Sequence, residues 1–175
     1  MASTASASTQ QKPQETREEQ QRNPPLGYDV QDYIGFKFEF ATAKGVQGRF
    51  TVSERSCQLY GVLHGGISAF LAEDLARLGA LIASNWKKID GVKLSVNHLR
   101  AIPVGQEVIA SATPLMVGNR IQVWDVKFST LKPKDTSNDT SPTELSVVSR
   151  VTLIAGGLPS EGSSQKDMFE QYSKL

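Results

Sequence analysis

Two groups on one stretch have the makings of a site that acts on a carbonyl. His64-Gly65-Gly66 opens an apolar run that reaches Ser84. If that run is a helix, its first backbone N–H groups have no intrahelical acceptor, and the helix dipole favours negative charge beside them. Eight residues after Gly65 stands Glu73, a carboxylate in an almost wholly apolar segment. Burying it is costly unless it has a partner or a job. An exposed position on a half-wet flank accounts for it equally well. Gly65 and Glu73 lie about 12 Å apart along one helix, so they cannot both touch the same carbonyl group.

The helix that must carry them has two apolar faces. At about 100° per residue, Ile67, Phe70, Leu71, Leu75, Leu78 and Ile82 share one side. Gly65, Ala69, Ala72, Ala76, Ala80 and Ala83 share the other, with Glu73 at its edge. The large face suits a sheet. The small face suits a second helix brought close. Two copies running antiparallel along that face set Gly65 of one beside Glu73 of the other, so the expectation is a two-fold homodimer with two identical sites.

The rest of the chain supplies strands. Tyr28 to Ile34 suits a short helix, Gly35 to Phe40 alternates as a strand, and Val46 to Val52 suits a second. Gly91 to Ile102, Glu107 to Leu115, Ile121 to Leu131 and Glu144 to Ala155 read as four more, with turn residues at Pro103-Val104-Gly105 and Val117-Gly118-Asn119. The expected class is α+β: one domain over 27–156, a curved, mostly antiparallel sheet wrapped around one long central helix. Residues 1–26 have little to bury and are expected to be disordered. The polar stretch 132–143 is expected to be a mobile insertion, and 157–175 a polar tail.

Composition excludes several classes. Net charge is +1, which recruits no nucleic acid. No apolar run is long enough to span a bilayer. The single cysteine, Cys57, forms no internal disulfide, lacks an evident base and reads as packing. The two histidines are far apart and no Cys/His cluster has metal-ligand spacing, so neither metal nor cofactor is expected.

Gln58-x-x-Gly61-x-x-His64-Gly65-Gly66, Glu73, Asn97-His98-x-Arg100 and the segment from Gly118 to Trp124 together resemble the hotdog-fold acyl-CoA thioesterases. The similarity covers roughly residues 29 to 155. It is nearest to the branch that hydrolyses 1,4-dihydroxy-2-naphthoyl-CoA and related aromatic acyl-CoAs. The resemblance implies that the Gly65 N–H polarises the thioester carbonyl. It also implies that Glu73 attacks the carbonyl or deprotonates water, and the sequence leaves both open. Gln58 would orient water or the Glu73 carboxylate. His64 either holds the thioester or caps the helix. Asp74, pointing towards the large face, ranks below Glu73 and suits a buried hydrogen bond. His98, Arg100, Asn119 and Arg120 are the candidates for coenzyme A, with coenzyme A part of the substrate. One departure stands out: where the branch commonly carries Ser or Thr one turn after Glu73, this chain has Arg77. That cation either keeps Glu73 ionised or anchors an acyl hydroxyl or a phosphate.

Ser173-Lys174-Leu175 matches the peroxisomal address read by an import receptor. Plant members of the resembled branch are peroxisomal and serve phylloquinone synthesis. The assembly expected is a homodimer, or a homotetramer built from it. The rival readings are a medium- or long-chain fatty acyl-CoA thioesterase, a hotdog protein that binds acyl-CoA without hydrolysing it, and a hotdog hydratase, whose Asp/His pair is not evident here.

Overall fold

The computed structural model describes residues 28–131 and 143–156. The expectations for 1–26, for the 132–143 insertion apart from Thr143, and for the Ser173-Lys174-Leu175 tail lie outside the described residues. In chain order the elements are α1 (Tyr28–Ile34), β1 (Lys37–Thr42), β2 (Gly45–Thr51), α2 (Gly65–Ala83), β3 (Ile89–His98), β4 (Glu107–Val117), β5 (Ile121–Leu131) and β6 (Thr143–Ala155). A short 3-10 turn at Glu54–Ser56 precedes the loop into α2.

All six strands form one antiparallel sheet in the order β1-β2-β4-β5-β6-β3, and α2 packs on it. This is the sheet wrapped around a helix that the sequence pattern calls for. Several strand ends differ from expectation, and two of them have a clear hydrogen-bonding reason. The first strand begins at Lys37, because Gly35 adopts φ +72 and ends α1, with its N–H on Asp32 O and that of Phe36 on Gln31 O. The third ends at His98 instead of Ile102, because the N–H groups of Leu99 and Arg100 both turn onto Ser146 O and break the ladder.

The helix faces are a correction. Ala72, Ala76 and Ala80, expected to meet a second helix, are fully buried within the single chain. They join Leu71, Leu75 and Gly79 on the side that meets the sheet. The reason is the bulk beneath them. A Cβ at Gly79 would overlap the Trp124 indole, and Trp124 is itself fully buried. Trp124 Nε1 donates to Gln122 Oε1 at 3.1 Å, and Gln122 Nε2 donates to Ala80 O at 3.2 Å. Small residues let the helix settle onto this Trp–Gln pair, so every buried polar group there is satisfied. Phe70, Glu73, Asp74, Arg77 and Leu81 are all half-buried, with Phe70 and Leu81 packed against the core.

Strand β3 forms one edge of the sheet and is exposed along nearly its whole length, with Val92 at 61%. An exposed edge with apolar side chains is a ready template for pairing with another chain.

Candidate active site

The start of α2 is built by its own cap. His64 is the N-cap, and its Nδ1 accepts from Gly66 N–H at 2.9 Å. This is the capping role weighed for His64. It consumes one orphan donor of the helix, while the neighbouring Gly65 N–H has no acceptor among the described residues. The loop before it is fixed by Gln58, whose N–H donates to Val62 O at 2.9 Å, and by Gly61, whose φ of +71 favours glycine. Gln58 Oε1 accepts from Tyr60 N–H at 3.2 Å, which turns the side chain back over its own loop.

A cavity of about 510 Å³ opens at this point, bounded by the 58–65 loop on one side and by the chain leaving β3 on the other. Gln58, His64, Gly65, His98 and Arg100 all line it. The structure therefore brings five of the nine residues proposed for chemistry or substrate contact around one space. Arg100 Nη1 is also paired with Glu144 Oε1 at 2.9 Å. Among the described residues no carboxylate lines the cavity.

Glu73 is elsewhere. It sits two turns along α2, where its carboxylate takes a hydrogen bond from Arg77 Nη2 and lies over β3 at Gly91. A Cβ at Gly91 would stand 2.7 Å from Glu73 Oε1, so the carboxylate occupies room that a side chain would fill. Both partners of the Glu73–Arg77 pair are more than a third exposed, so the pair orients Glu73 more than it stabilises the fold. Arg77 Nε is buried without a partner among the described residues.

Asp74 makes a partly buried hydrogen bond, with α1 instead of the sheet: Gln31 Nε2 donates to Asp74 Oδ2. Burial lifts its pKa to about 6, against the pull of Arg77 and of the Gln31 bond. Asn119 and Arg120 form the turn between β4 and β5. Ile121 pairs with Ile154, and Ile89 with Ala155, so that turn lies at the end of the sheet opposite His98. Cys57 packs against the core. Among the described residues no group of three or more His, Cys, Asp or Glu side chains could hold a metal, and no helix is long and apolar enough to cross a membrane.

Sequence reasoning passed over two residues that shape the site. Gly91 makes room for Glu73. Ser68, fully buried in the first turn of α2, bonds both Gly65 O and His98 Nε2. A polar residue on the same face as Leu71 and Leu75 was the available signal for Ser68.

Residues 60–137 match the family model described as the thioesterase superfamily. The chain is 43% identical to the 1,4-dihydroxy-2-naphthoyl-CoA thioesterase 2 of Arabidopsis thaliana, over 70% of this chain and 76% of that protein. It is 31% identical to the 1,4-dihydroxy-2-naphthoyl-CoA hydrolase of Escherichia coli, over 55% of this chain and 71% of that one. Among solved structures, a thioesterase from Haemophilus influenzae superposes with a TM-score of 0.62 at 30% identity, covering 75% of this chain and 85% of that one.

Proposed function

The chain belongs to the hotdog-fold thioesterase superfamily and is an acyl-CoA thioesterase; we propose that its substrate is an aromatic acyl-CoA, 1,4-dihydroxy-2-naphthoyl-CoA, cleaved to 1,4-dihydroxy-2-naphthoate and coenzyme A. The names of the Arabidopsis and Escherichia coli relatives support that acyl group. The pathway it implies is phylloquinone synthesis.

The observation that carries the mechanism is a division of labour. The cavity offers an amide donor at Gly65 with Gln58 and His64 beside it, yet no carboxylate among the described residues. The carboxylate of Glu73 lies at the exposed β3 edge instead. A homodimer in which two β3 edges pair antiparallel supports both facts. Such a two-fold brings the His98 end of one strand to the Ile89 end of the other. Each cavity then receives Glu73 from the second copy, along with the turn carrying Asn119 and Arg120. The dimer expected from the sequence is kept, with strand edges in place of small helix faces. A homotetramer would be two such dimers.

In this site the Gly65 N–H hydrogen-bonds the thioester oxygen and stabilises the oxyanion. Glu73, held by Arg77, either attacks the carbonyl carbon to give a mixed anhydride that water then hydrolyses, freeing the acid and the carboxylate, or takes a proton from the water that attacks. Gln58 orients the water or the carboxylate. The C–S bond breaks, and the coenzyme A thiolate leaves and is protonated. His98, Arg100, Asn119 and Arg120 hold the coenzyme A arm and phosphates. The Ser173-Lys174-Leu175 address, read at a free carboxyl terminus by the import receptor, would place the activity in the peroxisome. A fluorescent fusion with and without Leu175 tests that part.

The test of the reaction is free-thiol release from a panel of aromatic and fatty acyl-CoAs, with wild type and Glu73→Ala. The dihydroxynaphthoyl thioester is expected to give the highest kcat/KM, and the variant to lose at least about a thousandfold in rate. Preference for a fatty acyl thioester would overturn the substrate, and near-normal turnover by Glu73→Ala would overturn the mechanism.

A further inference from the structure

The two histidines of the cavity are locked in complementary states by their backbone and side-chain partners. His64 Nδ1 accepts from Gly66 N–H, so a neutral His64 carries its proton on Nε2 and presents a donor. His98 is held at its other nitrogen. Its Nε2 stands 2.8 Å from Ser68 Oγ, and Ser68 Oγ donates to Gly65 O at 2.9 Å. The hydroxyl has one proton, and for both contacts to be hydrogen bonds that proton must go to Gly65 O, which can only accept. Ser68 Oγ is then the acceptor towards His98, and the Nε2 of His98 carries the proton. Nδ1 is left as an acceptor, without a partner among the described residues, on a ring that lines the cavity. The ring is seated against Gly65: a Cβ there would stand 3.1 Å from His98 Cε1.

We propose that Ser68 is a positioning residue that fixes His98 as a hydrogen-bond acceptor for an amide N–H of the substrate's pantetheine arm. The proposal rests on the acyl-CoA reading for its ligand, while the state of His98 does not. Three features carry it. Ser68 is fully buried, so water does not compete for its hydroxyl. The Ser68 bridge ties the first turn of α2 to the end of β3, next to the two segments that bound the cavity. The seat on Gly65, with Nδ1 3.9 Å from where a Gly65 Cβ would stand, puts the acceptor near the residue whose amide is assigned to the thioester oxygen. The pantetheine arm offers an amide N–H two carbons from the sulfur, which suits an acceptor next to that amide.

The experiment uses the full chain with ¹⁵N-labelled histidine. Long-range ¹H–¹⁵N spectra are recorded at a pH where both rings are neutral, and the His98 signals are assigned by their loss in His98→Gln. Wild type is expected to show His98 with its proton on Nε2. Ser68→Ala is expected to show a mixture of both tautomers, and Ser68→Thr to restore the wild-type pattern. Adding coenzyme A alone should shift the Nδ1 resonance in wild type. In turnover, Ser68→Ala should raise KM about tenfold with kcat changed less than about threefold, the signature of lost uniform binding. A wild-type His98 protonated on Nδ1 overturns the proposal without any variant. So does a Ser68→Ala tautomer or KM equal to wild type. A chain with no thioesterase activity would still show the Nε2–H state, so failure of the activity reading is separable from failure of this one.

Discussion

The Glu73 carboxylate and Gly91 are fitted to one another: Oε1 lies where a Gly91 side chain would begin, 2.7 Å from the position of a Cβ. The register of β3 against β6 shifts between Gly91 and Lys93, so the strand bulges beside the carboxylate. Gly91→Ala is expected to push the carboxylate aside and cut kcat about tenfold or more, since small misplacements of a reacting group are costly. Steady-state kinetics with unchanged KM and an unchanged circular dichroism spectrum would give that result its meaning. Wild-type kcat would show that the carboxylate tolerates displacement.

Arg77 orients Glu73 from one turn away. Because both side chains are more than a third exposed, Arg77→Ala is expected to change unfolding free energy by less than about 1 kcal/mol in a denaturant titration. The expected kinetic effect is a loss of about tenfold in kcat, equal for dihydroxynaphthoyl-CoA and for a naphthoyl thioester without hydroxyls. A loss confined to the hydroxylated substrate would assign Arg77 to the acyl group instead.

Asp74 makes stability depend on pH in a direction opposite to that of an ordinary paired carboxylate. Its folded pKa, about 6, lies above the usual 3.8, mainly through burial. The fold therefore holds the proton more tightly than the unfolded chain. This contribution is fully present below about pH 4 and is lost as pH rises through 6. Asp74→Asn keeps a neutral partner for Gln31 and removes the titration. Relative to wild type, the variant is expected to gain about 1–3 kcal/mol between pH 4 and pH 7.5. Paired urea unfolding curves at the two pH values measure this, and a constant difference would refute it.

Much of this fold was readable in the chain itself, and the exceptions have physical causes. Ile121 to Leu131 alternates cleanly and is β5 to the residue. The helix begins at Gly65, where His64-Gly65-Gly66 pointed. The facing of α2 was not readable, because large and small apolar residues both suit burial. What decided it was Trp124, far along the chain, whose ring fills the space that Gly79 leaves. The early end of β3 depends on Ser146, a partner about fifty residues later. The candidate site divides in the same way. Gln58, His64 and Gly65 are neighbours in sequence and share the cavity. His98 and Arg100 join it because β3 folds back along α2. Glu73 is near in sequence but lies outside the cavity of its own chain, and no local pattern reveals that.

The most direct measurement mixes two inactive chains. Glu73→Ala keeps the Gly65 amide, and Gly65→Pro keeps the carboxylate but has no N–H to offer. Each variant alone is expected to be nearly inactive. If each site takes its amide from one chain and its carboxylate from the other, every mixed dimer holds one intact site. Co-refolding equal amounts should then restore about a quarter of wild-type activity, since half of the dimers are mixed and each has one working site of two. A mixture as inactive as its components, with subunit exchange verified by mass, would place both groups within one chain and contradict the shared site.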